Sequence, residues 1–100
     1  MKTVVDQQQI DKWKSEHPEG VFRLKSDKYG DIYIHTPDRP TLGFAMSASR
    51  EDPLAMSETI LENCWLEGDE KIKTDKGALM GILPKIDEIL EVKAIEVEKL

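Results

Sequence analysis

The chain has 100 residues, enough for one domain and too few for two, and its 39% apolar and 34% charged side chains exclude disorder throughout while allowing a modest core. Its 14 basic and 20 acidic residues leave a net charge of −6, with the lysines scattered among Asp and Glu from Lys12 to Lys99, which disfavours electrostatic nucleic-acid binding as the main activity. No apolar run approaches the roughly 20 residues needed to cross a bilayer, the N-terminus lacks a hydrophobic signal core, and the lone Cys64 has no partner for an intrachain disulfide, so a cytoplasmic protein is expected.

In chain order, residues 6–17 are polar and helix-compatible, with Ile10 and Trp13 sharing a face, so a short helix docks by two anchors at most. His17, Pro18, Glu19 and Gly20 end it. Residues 20–26 and 31–36 then alternate with period two, Phe22 and Leu24 on one face of the first run and Ile32 and Ile34 on one face of the second. A short connector ending in Gly30 predicts that they pair as an antiparallel hairpin, whose apolar face the following helices must cover.

Asp38 is placed to cap a helix carrying Leu42, Phe44, Ala45, Met46 and Ala48, with Gly43 inside it at a cost of up to about 1 kcal/mol that is tolerable if it allows close approach to a neighbour. Asp52 before Pro53 marks a second helix start. Counting about 100° per residue, Met56, Ile60, Leu61, Cys64 and Trp65 form its inner stripe, and Gly68 stands where a left-handed residue would close it after Glu67. Residues 68–76 are charged and read as a loop. From Thr74 or Asp75 a last helical element runs to Leu100, with Leu79, Ile82, Leu83, Ile86, Ile89, Leu90, Val97 and Leu100 in one stripe and Pro84 either kinking it or dividing it in two. Met80, Val92 and Ile95 fall outside that stripe, either as ordinary single exposed residues or as a surface for a partner. The expectation is one α+β domain, residues 1–100: a short N-terminal helix within 1–19, an antiparallel β-hairpin in 20–36, and three or four helices packed on it in 37–100.

Catalytic chemistry finds little support in these residues. Cys64, His17 and His35 lack the paired spacing of a zinc site, and Cys64 lies on an apolar stripe with no base placed to activate it. The acidic pairs at residues 51–52 and 69–70 sit at helix ends or in loops, where capping and solvation account for them. No phosphate-binding glycine loop or calcium loop is present, so neither a cofactor nor an enzyme is expected. Trp65 closes an apolar stripe and fits a core, whereas Trp13, on a weakly apolar helix, is the better interface anchor.

The order Arg39-Pro40, Ala45-Met46-Ser47, Asp52-Pro53 and then Asn63-Cys64-Trp65-Leu66-Glu67-Gly68-Asp69-Glu70 resembles the small tail assembly chaperones of long-tailed bacteriophages and prophages, over about residues 22–90. That resemblance implies a non-enzymatic protein of the host cytoplasm that binds the long helical tape-measure protein and keeps it soluble until the tail tube polymerises around it. It supplies no motif of binding residues. From the wheel and the two tryptophans, the partner-binding candidates are Trp13, Met80, Val92 and Ile95, with a homo-oligomer as a further expectation. The alternative of another class is an acidic inhibitor or DNA mimic of a mobile element acting on a basic host protein.

Overall fold

The computed structural model describes residues 5–100. Asp6 turns the chain into α1 (Gln7–Glu16), its carboxylate accepting the Gln9 amide at 2.9 Å. Two strands follow, β1 (Val21–Ser26) and β2 (Gly30–His35), paired antiparallel with Phe22 opposite Ile34 and Leu24 opposite Ile32, as the alternation predicts. Their connector closes with Gly30 at φ 76°, and the Ser26 hydroxyl accepts the Tyr29 amide at 3.1 Å.

The Asp38 carboxylate accepts the Thr41 amide at 2.8 Å and starts α2 (Arg39–Ala48), with Pro40 in the first turn. Gly43 departs from expectation: it is exposed, and a Cβ built there would meet no atom within 4 Å, so no close approach requires it. Asp52 accepts the Leu54 amide at 3.0 Å, and α3 (Leu54–Asn63) begins one residue later than the Asp-Pro pair implies, with Pro53 rather than Asp52 at the N-cap position. Ser57 and Thr59 are buried there along with Ile60 and Leu61, because α3 lies against both α2 and the helical segment that follows Asp75. The Ser57 hydroxyl donates to the Leu79 carbonyl at 3.0 Å, which satisfies its hydrogen-bonding capacity inside the packed interface.

Four expectations fail beyond this point, each for a non-local reason. The helix expected to reach Glu67 stops at Asn63, and residues 65–67 form β3 (Trp65–Glu67) instead, antiparallel to β2 with Ile34 opposite Trp65 and Tyr33 opposite Glu67. The sheet order is therefore β1-β2-β3, with β2 in the centre. Gly68 is not a helix cap: at φ 146° it follows β3 and presses on β2, where a Cβ would lie 2.5 Å from Ile32 Cδ1 and 3.2 Å from Ile32 Cα. The charged stretch beyond it is a 3₁₀ turn (Glu70–Thr74) that buries Ile72 rather than a loop.

The last helical element divides at Pro84 into α4 (Lys76–Ile82) and α5 (Ile86–Leu90), joined by a 3₁₀ turn (Leu83–Lys85). It does not continue to Leu100. Glu91 adopts a left-handed conformation, φ 52°, and the Val92 amide closes the helix end on the Asp87 carbonyl at 3.2 Å. Residues 91–100 have no regular structure and are all exposed, including Val97 and Leu100 from the expected inner stripe. A helix of this length holds together by packing its apolar face, each buried Ile contributing about 1.5–3 kcal/mol. Ile86 and Ile89 find the core, and nothing of the body extends past Leu90 to receive the rest. That core gathers Ile32 and Ile34 of β2 under Ala45, Ile60, Leu61, Cys64, Ile72, Leu79 and Ile82.

Candidate protein-binding surface

β1 forms one edge of the sheet, and among the described residues only β2 pairs with it. Beside this edge, between residues 23–26 and the helical pair α4 and α5, runs a groove of about 450 Å³. Leu24, Ile72, Ala78, Gly81 and Ile82 give it an apolar floor, while the exposed cations Arg23, Lys25 and Lys85 line its rim together with the single acidic Glu88. Gly81 keeps the floor open, since a Cβ there would meet no atom within 4 Å.

The two walls of the groove are tied together at the hairpin tip. Tyr29, in the β1–β2 connector, donates its hydroxyl hydrogen to the Asp75 carboxylate, which also accepts the Ala78 amide at 3.1 Å as the N-cap of α4 and stands 3.4 Å from Lys28 Nζ. The Tyr29 hydroxyl, the Ala78 amide and the Lys28 ammonium all favour the ionised form, and together they hold the Asp75 carboxyl down to about 2.

Among the residues singled out from sequence, Trp13 is corrected. It is 8% exposed, its indole packed on the Tyr33 ring at a centroid distance of 5.4 Å, and it serves to dock α1 on β2 rather than to present an anchor to a partner. A second stacked pair, His17 on His35 at 4.2 Å with the rings nearly parallel, fastens the end of the same helix. Trp65 packs half-buried against the core, with Lys73 Nζ 4.3 Å above its ring.

Met80, Val92 and Ile95 are all exposed, at 62%, 64% and 81%, but not on one helix: Met80 lies on α4, and the other two lie in the unstructured segment after Leu90. The wheel places them on a common rod that does not form. Phe44 and Met46 of α2 are also exposed, on either side of buried Ala45. The groove beside β1 escaped the sequence altogether, and the lone trace of it there is Gly81, the second glycine of the helical run 76–82.

The arrangement offers no activated nucleophile among the described residues. Burial pushes the Cys64 thiol up to about 11, so the thiolate is scarce near neutral pH. No three His, Cys, Asp or Glu side chains among the described residues converge as a metal site. No described helix is long and apolar enough to cross a membrane. No family model matches this sequence, and comparison with curated proteins and with solved structures likewise finds no match.

Proposed function

We propose that this protein is a non-enzymatic binding partner of an apolar helical protein, of the kind that the small tail assembly chaperones of bacteriophages present to a tape-measure protein in the host cytoplasm. The observation that carries this reading is the amount of large apolar side chain left uncovered on a chain of 100 residues: Phe44, Met46, Met80, Val92, Ile95, Val97 and Leu100 are each more than half exposed. Isolated exposed apolar residues are ordinary, but seven in so small a domain, four of them in the last ten residues, offer a greasy partner several apolar points of contact. Flexible methionines adapt to varied helix faces, and the acidic remainder of the surface keeps a complex with such a partner in solution.

Phe44, Met46 and Met80 are the residues of this surface that sit on helices and are held by the fold, and Val92 lies beside the end of α5. Co-expression with fragments of a tape-measure-type protein tests the reading: the fragments remain soluble in the presence of this chain and precipitate in its absence. Equal precipitation with and without it overturns the proposal.

A further inference from the structure

The free edge of β1 and the exposed segment after α5 are complementary. In β1, Phe22 and Leu24 turn toward the helices and alternate with exposed Arg23 and Lys25. Residues 95–98 repeat that pattern with opposite charge, Ile95 and Val97 alternating with Glu96 and Glu98. Side chains alternate between the two faces of a strand, so laying one run beside the other in phase puts Ile95 and Val97 over the apolar floor of the groove. The same alignment brings Glu96 and Glu98 next to Arg23 and Lys25.

An exposed strand edge is a template for another strand, and β-branched residues favour that conformation. Ile95 and Val97 are 81% and 94% exposed, so pairing would remove them from water at no cost in contacts they already make.

We propose that residues 95–98 of a second copy of this chain add as a strand to the free edge of β1, with Ile95 and Val97 seated in the groove and two protomers exchanging the segment reciprocally. The left-handed turn at Glu91 leaves all nine following residues exposed, and the molecule measures 57 × 31 × 22 Å, its length well beyond the other two dimensions. Residues 91–94, the linker before the paired run, reach about 13 Å when extended, so in the exchanged pair each α5 end lies close to the other copy's β1 edge. Reciprocal exchange closes the assembly at two chains, because each protomer gives one strand and receives one. Ile95 then belongs to the contact between copies, while Phe44, Met46 and Met80 stay free for another protein; the exchange stands whether or not such a protein exists.

Light scattering and amide exchange on the full chain decide it. The wild-type protein is expected at twice the single-chain mass of 11.4 kDa, with slow amide exchange along β1. The Ile95→Asp/Val97→Asp variant is expected at the single-chain mass, folded by circular dichroism, with a Tm that no longer rises with protein concentration and with fast exchange along β1. Gly81→Leu, which fills the groove floor from a helix position where a Cβ has room, also abolishes the dimer and leaves the fold at least as stable. Arg23→Glu/Lys25→Glu loses it too, and adding Glu96→Lys/Glu98→Lys restores it. A single-chain mass for the wild type overturns the proposal, whether β1 exchanges fast or is protected by the protomer's own segment. A two-chain mass that survives the Ile95→Asp/Val97→Asp change overturns it equally.

Discussion

Tyr29 and Asp75, 46 residues apart, share a hydrogen bond that fastens the tip of the hairpin to the first turn of α4. Because Asp75 also caps that helix and faces Lys28, one carboxylate sets the spacing between the two walls of the groove beside β1.

Removing the phenol hydroxyl as Tyr29→Phe takes away the largest of the interactions that depress the Asp75 pKa. Its carboxyl is expected to titrate higher than in the wild type, toward the ordinary 3.8, read by the pH dependence of its side-chain carbon shift in NMR. In the wild type the depressed pKa contributes stability that is fully present above pH 3.8 and is lost as the pH falls through about 2. Tyr29→Phe therefore narrows that acid window, seen as a smaller difference in Tm between neutral and strongly acidic solution.

Cys64 sets the behaviour at the other end of the pH scale. The unfolded thiol ionises near 9 and the buried one at about 11, so the unfolded state gains stability from ionisation first. The protein is expected to lose stability progressively between pH 9 and 11, and Cys64→Ala to show a shallower decline, the remainder coming from Tyr29 and Lys28, whose pKa values are also raised. At neutral pH a mild alkylating reagent labels the native thiol slowly, and denaturant accelerates it.

Two glycines are expected to answer alanine with opposite signs. Gly68→Ala combines a positive φ with a Cβ driven against Ile32, side chain and backbone, and costs about 2 kcal/mol or more. Gly43→Ala meets open space within a helix and stabilises by up to about 1 kcal/mol, or about 4–8 °C in Tm. Thermal unfolding of the two variants measures both.

Trp13→Ala removes the ring that packs α1 on Tyr33 and is expected to cost about 3 kcal/mol in denaturant unfolding, with fraying concentrated in residues 7–16. A loss within a few tenths of a kcal/mol would mean that the indole contributes little to docking.

What could be read in advance follows from whether its cause is local. The aspartates before α2 and α3, the alternation in β1 and β2 and the proline break within the last helical element all announce themselves within a few residues, and these parts formed within a residue of where they were expected. β3 could not be foreseen this way: Trp65 continues the stripe of α3, and only pairing with Ile34, some 30 positions earlier, makes it a strand. Trp13 reads as an exposed anchor because its partner Tyr33 belongs to a different element. The wheel from Leu79 to Leu100 records which residues share a face, not whether a core remains to receive that face, and past Leu90 none does. The groove needs β1, the 3₁₀ turn and both helices after Asp75 at once, so no single stretch of sequence carries it.

The central claim is that this protein holds its partner by apolar surface rather than by its net charge of −6. The most direct measurement is the Kd of its complex with a solubilised tape-measure-type helical fragment at about 0.1 M and about 1 M salt, where the Debye length falls from about 10 Å to about 3 Å. Apolar burial at Phe44, Met46 and Met80 predicts a Kd unchanged within about twofold. A weakening of about tenfold or more would contradict it and favour an acidic surface acting on a basic target.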